Sequence, residues 1–147
     1  MITIQEFTST TGISLPQQQQ ISEFLFSNLE QYGDPLDDIN EAINYALSAE
    51  ANKGGFVLAA FSDDSIVGSV VVNETGMKKY IPENILVYIA TDCNLRGKGI
   101  GRQLMEKAMA SANGSIALHV EPDNPAKGLY EKLGFTNKYL EMRYVKQ

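Results

Sequence analysis

Ile85-Leu-Val-Tyr-Ile-Ala-Thr-Asp-Cys-Asn-Leu-Arg-Gly-Lys-Gly-Ile-Gly-Arg-Gln-Leu104 is the most informative segment of the chain. Its first seven residues are nearly all apolar and rich in β-branched side chains, which predicts a buried strand. Gly97, Gly99 and Gly101 then stand on alternate positions. The apolar residues that follow recur at helical spacing, so the segment predicts a strand, a glycine-rich turn and the start of a helix.

The turn has the features of an anion-binding site. Glycines let backbone N–H groups approach a ligand closely, and the N-terminus of a helix favours negative charge. Arg96, Lys98 and Arg102 add positive side chains to the same segment. We therefore expect this turn to bind an anion, most naturally a phosphate.

Spacing excludes two familiar phosphate-binding motifs. A P-loop requires Gly-x-x-x-x-Gly-Lys followed by Ser or Thr, whereas Lys98 is followed by Gly99. A dinucleotide fingerprint requires Gly-x-Gly-x-x-Gly, and counted from Gly97 its third glycine would fall on Arg102. The turn belongs to neither class.

The spacing Arg96-x-x-Gly99-x-Gly101 resembles the Arg/Gln-x-x-Gly-x-Gly/Ala motif with which the GCN5-related N-acetyltransferase (GNAT) family binds the pyrophosphate of acetyl-CoA. Residues 121–135 are similar to the second signature of that family, Asn-x-x-Ala-x-x-Leu-Tyr-x-Lys-x-Gly-Phe. The matching residues are Asn124, Leu129, Tyr130, Lys132, Gly134 and Phe135. This chain departs from the signature in its spacing, because counted from Asn124 the alanine would fall on Lys127 and the leucine one position after Leu129, so that Ala126 and Leu129 each come one residue early.

The resemblance implies an α/β fold of the GNAT acyl-CoA N-acyltransferase type, with a mixed central sheet whose parallel strands splay apart between flanking helices. It implies a single N-acetyltransferase domain over residues 1–147, with acetyl-CoA as co-substrate and no metal. The residues implied to bind acetyl-CoA are Ile89, Ala90 and Thr91 of the strand, Arg96, Gly97, Lys98, Gly99, Ile100, Gly101 and Arg102 of the turn, and Asn124.

The resemblance also implies the chemistry. Tyr130 would lie near the CoA sulfur and act as general acid towards the departing thiolate, and an amide N–H near Ile89 would stabilise the oxyanion. The acetyl group would pass directly to a primary amine without an acyl-enzyme, so Cys93 is interpreted as a loop residue and not as a nucleophile. A non-catalytic acyl-CoA sensor or interaction module with the same fold is the alternative.

The base for the acceptor amine stays open. An alkylamine with a pKa of about 10.4 is almost entirely protonated at neutral pH, so a base is expected, directly or through water. The candidates are Glu74, Glu83, Tyr88 and His119. The acceptor itself, a small molecule or a peptide amine, carries no recognisable motif.

Composition limits the other function classes. The net charge of −6 and the pI near 4.7 argue against general nucleic-acid binding and mildly favour a cationic substrate. The chain has one cysteine, no apolar run long enough for a membrane span, and no signal-peptide pattern at residues 1–6. We therefore expect a cytoplasmic protein that does not bind membranes.

The remaining elements follow from local patterns. A strand is predicted at residues 2–7, a helix with a Ser14/Gln17 capping box before Gly33, and a second helix capped by Asp34. Further predictions are a hairpin of strands 56–61 and 66–73, a strand at 115–121, a helix capped by Asn124-Pro125, and a last strand within 135–146. This last strand would carry Leu140, Met142 and Tyr144 on one face and is a candidate for pairing across a homodimer.

Overall fold

The computed structural model describes all 147 residues of the chain. One five-stranded sheet has the spatial order β1-β2-β3-β4-β5, and its strands span Ile2–Phe7, Gly55–Ser62, Ser65–Glu74, Asn84–Thr91 and Ile116–Leu118. The first four strands are antiparallel neighbours, and β5 runs parallel to β4. The sheet is therefore mixed, which confirms the predicted fold class.

Helices cover both faces of the sheet. They are α1 (Leu15–Asn28), α2 (Leu36–Ala46), α3 (Ile100–Ser111) and α4 (Lys127–Lys132), and short 3₁₀ turns occupy Glu30–Tyr32 and Cys93–Leu95. One apolar cluster lies between the sheet and α1 and α2, and a second lies between the sheet and α3 and α4. None of these helices combines the length and the apolarity needed to cross a bilayer.

Strand β4 is irregular at its centre. Leu86 pairs with Val72 and Tyr88 pairs with Val71, so Val87 is an extra residue opposite two consecutive positions of β3. Such a bulge bends a strand and increases its twist. The pairing of β4 with β5 is limited to residues 84–86 of β4, so the two parallel strands are joined at one end only.

Several local predictions are confirmed. The side chain of Ser14 accepts a hydrogen bond from the Gln17 amide and the Gln17 side chain accepts one from the Ser14 amide, which is the predicted capping box. Strands β2 and β3 form the predicted hairpin. The strand, turn and helix of residues 85–104 are also present.

Two predicted helix caps are wrong. Helix α2 begins at Leu36 after Pro35 and has no side-chain cap, because the Asp34 carboxylate instead accepts a hydrogen bond from Tyr88. Helix α4 begins at Lys127 without a side-chain cap. The Asn124 side chain accepts a hydrogen bond from the Ala126 amide, which closes a turn before the helix and does not cap it.

The prediction of a last strand within 135–146 is also wrong. Residues 136–147 form no strand, and β5 ends at Leu118, although it was predicted to reach residue 121. Alternation of apolar and polar side chains satisfies only one condition for a strand. A strand also needs a neighbour for its N–H and C=O groups, and these residues have none within the chain.

Candidate active site

A cleft opens where β4 and β5 separate. Beyond Leu86, strand β4 pairs only with β3, so the edge of β4 that carries Ile89, Ala90 and Thr91 has no strand beside it. The buried Asn84 holds the closed end, since its side-chain amide donates to the carbonyl oxygens of Asn113 and Ser115. The predicted strand residues therefore lie along one wall of an open cleft.

The glycine-rich turn lies at the end of β4 and leads into α3. Gly99 is the N-cap of α3 and has a φ of 79°, in the left-handed region that favours glycine. The backbone N–H groups of residues 96–102 have no acceptor within the chain. This run of free donors at a helix N-terminus is suited to a ligand with several anionic oxygens.

The side chains of the turn have different surroundings. Arg96 forms an ion pair of 2.8 Å with Glu30 and so points towards the segment after α1. Lys98 is exposed without a partner, and Arg102 lies 3.6 Å from Glu106. The Ile100 side chain is buried in the second cluster, so only its amide is available to a ligand.

Tyr130 is nearly buried on α4, with 6% of its surface exposed, and its ring centroid lies 6.0 Å from that of Phe135. Its hydroxyl group has no hydrogen-bond partner within the chain and keeps some contact with solvent. Burial raises the pKa of Tyr130 to about 12. The hydroxyl is thus a neutral donor that is free for a ligand.

This pKa predicts a loss of stability at alkaline pH. An unfolded chain loses the phenol proton at about pH 10, whereas folded Tyr130 keeps it until about 12. Ionisation of this group therefore has no effect on stability below pH 10, and the free energy of unfolding falls by about 3 kcal/mol as the pH rises from 10 through 12. Urea unfolding at pH 9 and at pH near 12 should show a smaller loss for Tyr130→Phe than for the native chain, and equal losses would contradict the assignment.

Asn124 lies in the loop between β5 and α4. Its side-chain oxygen is bonded to the Ala126 amide at 2.9 Å, whereas its side-chain NH₂ group has no acceptor within the chain. The NH₂ group is therefore available to a carbonyl oxygen of a ligand. The family resemblance implies a ligand-binding role for this residue, and the free NH₂ group is compatible with that role.

The four candidate bases lie in different parts of the structure. Glu74 and Glu83 flank the closed end of the cleft, at residue 84 of β4, about 16 Å along the strand from Ile89 at ordinary strand rise. Glu83 accepts a hydrogen bond from the Ser115 amide, which lowers the pKa of the Glu83 carboxyl group. His119 is exposed beyond the end of β5. Only Tyr88 adjoins the open part of the cleft.

Tyr88 contacts Asp34, a residue that the sequence does not indicate as part of the site. Its hydroxyl donates to Oδ2 of Asp34 at 2.6 Å. Burial, this hydrogen bond and the charge of Asp34 raise the pKa of Tyr88 well above that of an ordinary phenol, so Tyr88 stays neutral. The sequence indicates only a helix cap at Asp34, because nothing in it relates this residue to a tyrosine 54 positions away.

The end of α1 and the segment that follows it contact the loops after β4 and β5, at the mouth of the cleft. Asn28 accepts a hydrogen bond from the Cys93 amide, in the loop that follows β4. The Tyr32 hydroxyl lies 3.4 Å from the carbonyl oxygen of Asp123, in the loop that follows β5. Burial and the carboxylates of Asp123, Glu121 and Glu30 raise the pKa of Tyr32, so the mouth is acidic.

Comparisons with known proteins agree with this geometry. The profile of the acetyltransferase (GNAT) domain matches residues 53–137. The 5-NmdU N-acetyltransferase of Pseudomonas phage PaMx11 is 30% identical over 101 residues, which cover 67% of this chain and 69% of that protein.

Solved structures show the same fold. Aminoglycoside N-acetyltransferase AAC(6')-Iy in complex with CoA aligns with a TM-score of 0.72 and 16% identity, over 100% of this chain and 95% of that chain. A GNAT family acetyltransferase from Streptococcus pneumoniae TIGR4 aligns with a TM-score of 0.71 and 17% identity, over 100% and 99%. The domain match and the phage relative together show that this chain belongs to the GNAT family and is an acetyltransferase.

Proposed function

We propose that this acetyltransferase moves an acetyl group from acetyl-CoA directly to a primary amine. The observation that carries the proposal is the run of free N–H groups at residues 96–102, next to the open edge of β4. Acetyl-CoA supplies an activated thioester, whose carbonyl carbon an amine can attack without a covalent enzyme intermediate.

The residues of the cleft fit the parts of this co-substrate. The free amides of residues 96–102 would bind the pyrophosphate, with Lys98 adding positive charge. The open edge of β4 and the Asn124 side chain would bind the amide groups of pantetheine, as an added strand binds a sheet edge. The aminoglycoside acetyltransferase that shares this fold is in complex with CoA, which supports the choice of CoA as the ligand to be tested.

The glycine turn gives a prediction about affinity. A side chain at Gly99, where φ is 79°, should shift the free amides, because the left-handed conformation costs a residue with a Cβ about 1–2 kcal/mol. Gly99→Ala should therefore weaken CoA binding about tenfold in calorimetry. Gly12→Ala is the matched control, since Gly12 has a φ of 67° and equal free space but lies before α1. Equal CoA affinities for the two variants would argue against a pyrophosphate site at the turn.

Tyr130 would assist departure of the thiolate. Full proton transfer from a phenol of pKa about 12 to the thiolate of a thiol with a pKa of about 8.5 would be uphill by about 5 kcal/mol. Its neutral hydroxyl would instead donate a hydrogen bond to the sulfur as negative charge develops there. An amide N–H near Ile89 on the open edge of β4 would stabilise the charge on the carbonyl oxygen.

We assign to Asp34 the role of the base that accepts the proton of the acceptor amine. Tyr88 cannot act as a base while it is neutral, but it immediately precedes Ile89 and holds the Asp34 carboxylate by a 2.6 Å hydrogen bond. The carboxylate would attract the ammonium group and accept its proton, directly or through water, as the amine attacks. Tyr88 would be a positioning residue that orients this carboxylate.

This assignment predicts a pH-dependent loss of activity. Asp34→Asn keeps an acceptor for the Tyr88 hydroxyl but removes the charge, so kcat/KM at pH 7 should fall about 100-fold. The loss should shrink near pH 10, where an amine with a pKa of about 10.4 is partly neutral without a base. Asp37→Asn is the control, because Asp37 is an exposed carboxylate in the first turn of α2. A loss independent of pH, or an equal loss in the control, would contradict the assignment.

The acidic mouth supports a cationic acceptor. The charges of Glu121 and Asp123 act on Tyr32 where the segment after α1 meets the loop after β5, and Glu30 in that segment is paired with Arg96. Such carboxylates would raise the local concentration of an ammonium-bearing molecule. Small-molecule and peptide amines both fit this description, and the name of the phage relative adds 5-NmdU to the acceptors that should be tried.

The test is an acetyl-CoA assay with a panel of acceptors. Polyamines, amino acids, aminoglycosides, peptides with free N-termini and 5-NmdU should be incubated with the protein, and thiol release and acetylated products should be measured. We expect one class of amine to gain an acetyl group with release of one thiol per product. CoA binding without turnover on every amine would overturn the catalytic proposal and favour a sensor.

A further inference from the structure

The Arg96 side chain joins the glycine turn to the end of α1. Its guanidinium forms a 2.8 Å ion pair with Glu30 and lies 3.4 Å from the carbonyl oxygen of Asn28. Asn28 is the last residue of α1, and Glu30 belongs to the segment that follows it. The side chain therefore contacts this segment, whereas the Arg96 amide is one of the free donors of the turn.

A second contact holds the same two parts of the chain together. The Asn28 side-chain oxygen accepts a hydrogen bond of 3.2 Å from the Cys93 amide. Its NH₂ group donates to the Phe24 carbonyl oxygen one turn back along α1, which fixes the orientation of the side chain. Residues 93–96 are thus bound to the end of α1 at both ends, through the amide of Cys93 and the guanidinium of Arg96.

Glu30 has an unusual backbone conformation for its residue type. Its φ is 57°, in the left-handed region, where a residue with a Cβ is less stable than glycine. Non-glycine residues in such conformations cluster at functional sites, because the strain persists only where the surrounding structure requires it. The polar contact that the Glu30 side chain makes is the ion pair with Arg96.

This ion pair stands at the start of a short segment that ends at the proposed base. Asp34 follows Glu30 by four residues, and its carboxylate accepts the 2.6 Å hydrogen bond from Tyr88. Residues 30–34 are therefore held at one end by Arg96 and at the other by Tyr88. An exposed ion pair adds little to the free energy of unfolding, so its effect should be on the position of this segment.

We infer that Arg96 and Glu30 are a positioning pair, which holds residues 30–34 on residues 93–96 and so places the Asp34 carboxylate beside the cleft. The inference rests on the proposed function, in which Asp34 accepts the proton of the amine. The cations of the turn then have separate roles. Lys98 adds charge for the pyrophosphate, and the Arg96 side chain holds the acceptor side.

Kinetics of single and double variants test this pair. Arg96→Met and Glu30→Gln should each lower kcat/KM for the amine about tenfold, because small displacements of a reacting group are costly. The double variant should lose no more than either single variant, because the two residues act through one contact. Glu106→Gln is the matched control, since it breaks the exposed ion pair of Arg102 in the same turn and should keep the native kcat/KM.

Calorimetry with CoA separates the two roles that Arg96 could have. Lys98→Met should raise the Kd for CoA about threefold, because it removes an unpaired cation from the turn. Arg96→Met should change this Kd less than Lys98→Met does. Weaker CoA binding in Arg96→Met with native kinetics in Glu30→Gln would assign the guanidinium to the pyrophosphate and overturn the inference. Native kcat/KM in both variants, or losses that multiply in the double variant, would also contradict it.

Amide hydrogen exchange gives a readout that needs no acceptor. The Cys93 amide donates to Asn28 and so reports whether residues 93–96 stay bound to the end of α1. Its exchange should be several-fold faster in Glu30→Gln and Arg96→Met than in the native chain and in Glu106→Gln. Unchanged exchange in both variants would overturn the inference. A native chain that acetylates no amine would instead overturn the proposed function, and the exchange rates would still show whether the pair holds the segment.

Discussion

Replacement of Tyr130 by phenylalanine is expected to lower kcat about 100-fold, because the departing sulfur would lose its proposed hydrogen-bond donor. The affinity for CoA should not change, since the hydroxyl would act only on charge that develops during the reaction. The free energy of unfolding of Tyr130→Phe at neutral pH should also equal that of the native chain. The ring is 6% exposed and packs near Phe135, whereas the hydroxyl has no partner within the chain to lose.

Steady-state kinetics with the best acceptor of the panel, together with CoA calorimetry, measure this effect. Tyr144→Phe is the matched control, because Tyr144 is 84% exposed in the C-terminal tail and should keep full kcat. An unchanged kcat for Tyr130→Phe would remove Tyr130 from the chemistry. A fall in CoA affinity that matches the fall in kcat/KM would assign it to binding instead.

The largest effect on stability is expected at Gly55, the first residue of β2. Its φ is 137°, and an added Cβ would overlap the carbonyl oxygen of Val72 on β3. Neither strand can move without loss of the pairing between Gly55 and Asn73. Gly55→Ala should therefore reduce the free energy of unfolding by about 4 kcal/mol, a large share of the total for a domain of this size.

Urea unfolding followed by circular dichroism measures this loss. Gly128→Ala is the control, because Gly128 lies within α4 with nothing near the position of its Cβ. This change should leave stability unchanged or raise it by about 0.5–1 kcal/mol, since alanine has the higher helix propensity. If Gly55→Ala unfolds at the same urea concentration as Gly128→Ala, the close approach of Gly55 to the Val72 carbonyl oxygen is contradicted.

The parts of the fold that could be predicted from the sequence are those that depend on residues adjacent in the chain. The Ser14/Gln17 capping box, the β2–β3 hairpin and the glycine turn before α3 each depend on a few consecutive residues. The unpaired C-terminal tail shows the limit of such patterns. Its alternation predicts a strand, but strand formation depends on a neighbour that the pattern does not specify.

The candidate site was predictable on one side only. The proposed CoA side depends on two motifs, whose residues lie on β4 and the turn before α3, and on α4 and the loop before it. The proposed acceptor side depends on contacts between distant residues, such as Tyr88 with Asp34 and Arg96 with Glu30. Short polar residues such as Asp34 are common helix caps, so local preference alone gave the wrong interpretation.

A titration of the ¹⁵N-labelled protein with CoA, followed by amide NMR spectra, tests the central claim most directly. We expect saturable shifts in the amides of residues 96–102 and 89–91, which have free donors or lie on the open edge of β4. The amide signals of β1, at the other edge of the sheet, should not shift. Unchanged signals from residues 96–102 at saturating CoA, or shifts confined to another surface, would contradict the assignment of the cleft as the acetyl-CoA site.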